Sequence, residues 1–140
     1  MEAIERHIRD EDLPASSVLV VRGGPVTAEK LLGAARREQA VYTWQGRPLA
    51  CISTEAATAD WPLERILADH LPTRTTYAIT TIGQVVEAGF ALLPTFGAPH
   101  YDVVLEDATL QEVAKLMSIL SEPIRNPYRR RGGRPPNEER

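Results

Sequence analysis

One cysteine, Cys51, stands alone in 140 residues. An internal disulfide is excluded, and with it the small stapled scaffolds of secreted domains. No apolar run approaches the ~20 residues that span a bilayer, so no membrane partner is expected. Met1 to Asp12 is charged and lacks the apolar segment of a secretory signal. These shortages predict a cytoplasmic protein. Three histidines and one cysteine share no metal-ligand spacing, so no structural zinc is expected. The Gly-Lys-Ser/Thr of a phosphate loop, the three-glycine dinucleotide pattern and Gly-x-Ser-x-Gly are also missing.

What remains is ordinary globular material. Hydrophobic residues make up 43% and charged residues 25%, a balance that supports one packed core in a chain of this length. Charge is unevenly spread. Arg125 to Arg140 holds six arginines against two glutamates, net +4, which leaves −7 of the total −3 on the rest. An acidic body does not coat nucleic acid by charge. Nucleic acid is expected only at the tail, through Arg129, Arg130, Arg131 and Arg134.

The stretch Val18-Leu19-Val20-Val21 has four aliphatic side chains in a row with no alternation, which predicts a strand buried on both faces. It stops at Arg22-Gly23-Gly24. Thr27 is placed to cap a helix over Ala28–Gln39. Val41 to Trp44 and Leu49 to Ser53 flank the turn pair Gln45-Gly46 and predict a hairpin. Leu63, Ile66, Leu67, His70 and Leu71 follow helical spacing, with Asp60 as a cap and His70 on the apolar face. Thr75 to Thr80 is a strand. Thr81 with Gln84, and Thr109 with Glu112, have the form of capping boxes. Between those two helices, Phe90 to Leu93 is apolar and Tyr101 to Leu105 is a strand.

This order predicts an α+β (mixed α/β) protein. We expect a single compact domain over residues 1–124, with a mixed sheet of four to six strands and three to four helices. A disordered basic tail is expected over 125–140, since its Arg, Gly and Pro show no apolar periodicity.

Three strand ends offer chemistry. Arg22, Gly23 and Gly24 suit a phosphate: glycine lets the backbone approach, and a guanidinium grips phosphate oxygens in a bidentate way. The plain alternative is a tight turn with a paired arginine. Ser53, Thr54 and Glu55 end another strand, where turn chemistry is the alternative. Glu106-Asp107 ends a third, where a cap is the alternative. His100, in a loop beside Thr95, is a candidate general base, or else a strand-entry residue making a local hydrogen bond. Cys51 reads as a buried, inert thiol.

An arginine on the first strand, Ser-Thr on a later one and a glutamate on a last one is similar to the order in ADP-ribosyltransferase-like enzymes. That resemblance implies NAD as cofactor. Arg22 would hold its phosphates, Ser53 and Thr54 would support the nicotinamide pocket, and Glu106 would stabilise the ribosyl cation. Val104 stands where that family carries Glu or Gln. The chain also resembles a group of small uncharacterised actinobacterial proteins. The likeness rests on Val-Val-Arg-Gly-Gly, Thr-Ile-Gly with Gly-Phe, Leu-Pro-Thr then Pro-His, Val-Val-Leu, and Asn-Pro. It implies no activity. Two functional readings stay open. One is a toxin-like enzyme on a nucleotide-type or phosphorylated ligand. The other is a non-enzymatic protein that binds a protein partner, with its basic tail on nucleic acid or an acidic surface.

Overall fold

The computed structural model describes residues 14–21, 27–41, 43–44, 46–95 and 97–129. The charged Met1–Asp12 stretch, the ligand candidates Arg22, Gly23 and Gly24, and the tail arginines Arg130, Arg131 and Arg134 lie outside the described residues. The protein is α+β, and its described residues form four helices and a six-stranded sheet in one compact fold.

The aliphatic run forms β1 (Val18–Val21), near the middle of the sheet. Leu19 and Val20 are both fully buried, although they point to opposite faces, as a run without alternation requires. β1 is flanked by β4 (Ala50–Ala56) and β5 (Thr76–Thr81). Beyond β4 come β7 (His100–Leu105) and then β6 (Ala91–Pro94), and beyond β5 comes β8 (Ile124–Arg125). Every pairing is antiparallel, so the sheet is uniform where a mixture of directions was expected.

The helices divide between the two faces. α1 (Ala28–Val41), α3 (Ile82–Glu87) and α4 (Leu110–Met117) send Leu31, Val85, Val113 and Leu116 onto Leu19, Ile52 and Val103. α2 (Leu63–Asp69) packs Ile66 and Leu67 on Val20 and Tyr77 on the other face. Burying a side chain such as Leu19 or Phe90 contributes about 1.5–3 kcal/mol each. Local signals place the ends. Thr27 Oγ1 accepts from Lys30 N–H, Thr81 Oγ1 from Gln84 N–H and Thr109 Oγ1 from Glu112 N–H. α2 has no such cap: it starts after Pro62, and the Asp60 carbonyl accepts from Arg65 Nη1 instead.

Three expectations are corrected. The hairpin closes earlier than its apolar flanks suggested. Gly46, at φ +79°, turns β2 (Thr43–Trp44) onto β3 (Arg47–Pro48), which frees Leu49 onward for the main sheet. His70 is exposed rather than in the core. Because α2 is short, His70 falls at its C-cap and meets the Trp61 ring edge-on. The body also continues past residue 124. β8 pairs with Thr76 and Tyr77, and Asn126 is buried, with its amide donating to the carbonyls of Leu71 and Arg74. Arg129 is exposed.

Candidate functional site

Antiparallel register assembles the polar residues. On β4, Ala50, Ile52, Thr54 and Ala56 alternate with Cys51, Ser53 and Glu55. The first set faces α1, α3 and α4, and the second shares the face of α2. Ser53 stands across from Asp102 of β7, and Glu55 across from His100. On the far side of β7, Leu93 of β6 is opposite Asp102. One face thus holds Glu55 at 0% exposure, Asp102 at 2% and His100 at 7%. Ionisable groups are rarely buried this fully, so three together mark the place where the core departs from simple packing.

The loop between β6 and β7 completes the cluster. Gly97, at φ +87°, lets the chain fold back, and the His100 N–H bonds the Gly97 carbonyl at 3.0 Å. Thr95 is thereby brought beside His100 and Asp102. Its hydroxyl donates to Asp102 Oδ2 at 3.0 Å and lies 2.7 Å from His100 Nδ1. Nδ1 also lies 3.2 Å from the Thr95 carbonyl oxygen. A carbonyl only accepts. With the threonine proton on the carboxylate, Nδ1 carries a proton and donates it. Nε2 is then the ring's remaining acceptor.

Nε2 stands 4.0 Å from Asp102 Oδ1. Among the described residues, Oδ1 is buried without a hydrogen bond. Burial pushes the Asp102 carboxyl up from its ordinary value, while His100 and the Thr95 bond pull it down. Glu38 of α1 raises it further, and a side-chain hydrogen bond from Ser53 lowers it. The face thus sets the His100 ring 4.0 Å from a buried carboxyl that burial holds above its ordinary value. An arrangement of this kind can take a proton from a ligand and return it.

Ser53 and His100 share the face and flank Asp102. Thr54 lies on the opposite face, fully buried, with its hydroxyl bonded to the Tyr101 carbonyl at 2.9 Å. Glu106 is exposed past the other end of β7, where its N–H donates to Glu112 Oε1. It is four residues from Asp102 and six from His100, or about 13 and 20 Å along a strand. The structure does not bring it to Ser53. Cys51 is buried two residues from Ser53, and burial pushes its thiol far up, with Asp102 and Glu38 adding to the shift.

Asp102 was not singled out from the sequence, and Thr95 was named only as the neighbour of His100. The signal for Asp102 was present: aspartate is depleted in strands, and this one interrupts Tyr101-Val103-Val104-Leu105. The contact of Thr95 with both His100 and Asp102 depends on the loop fold. The chain matches no protein-family model, no curated protein and no solved structure.

Proposed function

We propose that the chain is an enzyme that performs acid–base chemistry on a phosphorylated, nucleotide-type ligand. The observation that carries this reading is the buried Asp102 Oδ1, which makes no hydrogen bond among the described residues and faces His100 Nε2, with Nδ1 placed beside the Thr95 carbonyl. A buried acceptor left unmade costs about 1–3 kcal/mol, a cost that a bound hydroxyl or N–H would relieve. His100 would exchange the proton through Nε2, Asp102 would hold the resulting charge, and Thr95 would fix both. The ligand class comes from Arg22-Gly23-Gly24, which follows β1 in the chain. Val21, the last residue of β1, is in register with Thr54, between Ser53 and Glu55.

The test is thermal shift against ATP, ADP, AMP, NAD and inorganic phosphate, followed by phosphorus NMR for turnover. A ligand at 100 times its Kd stabilises the fold by about 2.7 kcal/mol. Arg22→Lys keeps the charge but loses the bidentate fork, so it should weaken the shift. His100→Gln should keep the shift and lose the turnover. If no phosphate compound moves the melting temperature, the ligand class is wrong. If His100→Gln turns over as well as wild type, the acid–base reading fails.

The near closure of the cluster, with His100 only 7% exposed, favours a second reading. There the polar network is structural, and the chain is a non-enzymatic protein that binds a partner. Loss of stability in His100→Gln, with no response to any nucleotide, would select that reading.

A further inference from the structure

A second site lies two strands away, because β1 separates β4 from β5. β8 covers the edge of β5 only at Thr76 and Tyr77. Further along, Ile79 is held by Ser121: its N–H donates to Ser121 Oγ at 2.9 Å, and its carbonyl accepts from Ser121 N–H at 2.8 Å. Between this edge, the start of α3 and the turn after α4 is an open pocket of about 360 Å³. That size falls within the range of small-molecule pockets. Val18, Ile79, Ile119 and Leu120 form apolar walls, and among the described residues no charged side chain lines it.

Gln84, an exposed residue, lines the pocket with Thr80, Thr81, Ser118 and Ser121, and two threonine bonds orient its amide. Thr81 Oγ1 accepts from the Gln84 backbone N–H at 3.1 Å, and its one proton goes to Gln84 Oε1 at 3.3 Å. Thr80 Oγ1, on a buried residue, donates to the same oxygen at 3.2 Å. Two hydroxyl donors on Oε1 turn the amide NH2 away from the threonines. Among the described residues, Nε2 has no protein partner. Ser118, on the pocket wall, gives its hydroxyl proton to the Lys115 carbonyl at 2.6 Å, so its oxygen has lone pairs left to accept.

We infer that this pocket binds a small neutral molecule with an amide-type edge, a carbonyl beside an N–H, as in a lactam or a pyrimidine base. The carbonyl accepts from Gln84 Nε2, the N–H donates toward Ser118 Oγ, and the ring lies on the aliphatic walls. A charged ligand is disfavoured, because it would lose water without meeting an opposite charge. The site is independent of the His100 cluster and of any chemistry there.

The experiment is an amide-resolved NMR titration of the full chain with uracil. Shifts are expected at residues 79–81 and 118–121 and in the Gln84 side-chain amide. Gln84→Met keeps the length and helix propensity but removes the donor, and should weaken binding at least about tenfold, as sites built to hydrogen-bond reject a missing partner. Ser118→Trp, at an exposed position, should fill the pocket and abolish the shifts with the melting temperature unchanged; it carries the test if the Gln84 variant is poorly folded. Orotate, the same ring with a carboxylate, should not bind. The inference is overturned if about 10 mM uracil, enough for a millimolar fragment, moves none of these signals. It is also overturned if Ser118→Trp leaves the shifts intact, or if orotate binds as well as uracil.

Discussion

Replacing Asn126 by alanine tests whether the end of the chain is part of the folded body. The side chain makes three hydrogen bonds. Nδ2 donates to the Leu71 carbonyl at 2.9 Å and to the Arg74 carbonyl at 3.2 Å, and Oδ1 accepts from Tyr128 N–H at 2.9 Å. Each is worth about 1 kcal/mol net. Part of the loss is recovered: the Leu71 carbonyl keeps the Arg74 N–H, and Arg74 and Tyr128 are exposed, so water can replace the amide there. The expected cost is about 2 kcal/mol. For a domain of this size that is a drop of about 6–8 °C in Tm. Asn126→Asp is the sharper variant. It sets carboxylate oxygens against two carbonyl oxygens, so it should be less stable than the alanine variant at neutral pH. Protonation supplies one donor, so the difference should narrow toward acid. The assay is urea and thermal unfolding of all three proteins. A Tm change below about 2 °C for both variants would refute the docking of this segment. Deleting Asn126 to Arg140 should cost at least as much as the alanine change, whereas a tail starting at 125 would have made the deletion neutral.

Two further outcomes are expected. Asp102 has a folded carboxyl raised above its unfolded value, chiefly by burial, so its contribution to stability is fully present below the unfolded pKa and is lost as pH rises through the folded one. Asp102→Asn removes that dependence and keeps an acceptor for Thr95, so its stability relative to wild type should rise between pH 4 and 7 in urea unfolding; a difference independent of pH would show that the carboxyl does not titrate in this range. Leu67→Ala, at a side chain 2% exposed between α2 and β1, should cost about 2–5 kcal/mol, and a loss below about 0.5 kcal/mol would mean that α2 does not pack on the sheet.

What could be read from the sequence was local, and what could not was set by register. β1 was legible because four adjacent aliphatic residues can only be satisfied by cover on both sides. α3 and α4 were legible because their caps close within four residues, Thr81 to Gln84 and Thr109 to Glu112. β8 has two residues and therefore no period, and Asn126 bonds carbonyls 55 and 52 positions away. The candidate site divides along the same line. Ser53 and His100 could be proposed from their own surroundings. That they share a face with Glu55 and Asp102 follows only from the β4–β7 pairing, since a shift by one residue would turn each of them to the other side. Such a shift would set Glu55, Ser53 and Cys51 against α1, α3 and α4, and send Ala50, Ile52 and Ala56 to the other face. The aliphatic residues on alternate positions of β4 and β7 therefore decide the register, and the register in turn puts the acids and the imidazole side by side. The apolar half of each strand thus positions the polar half. In this chain the cluster is best sought from strand alternation, with Asp102 as the residue that breaks the pattern.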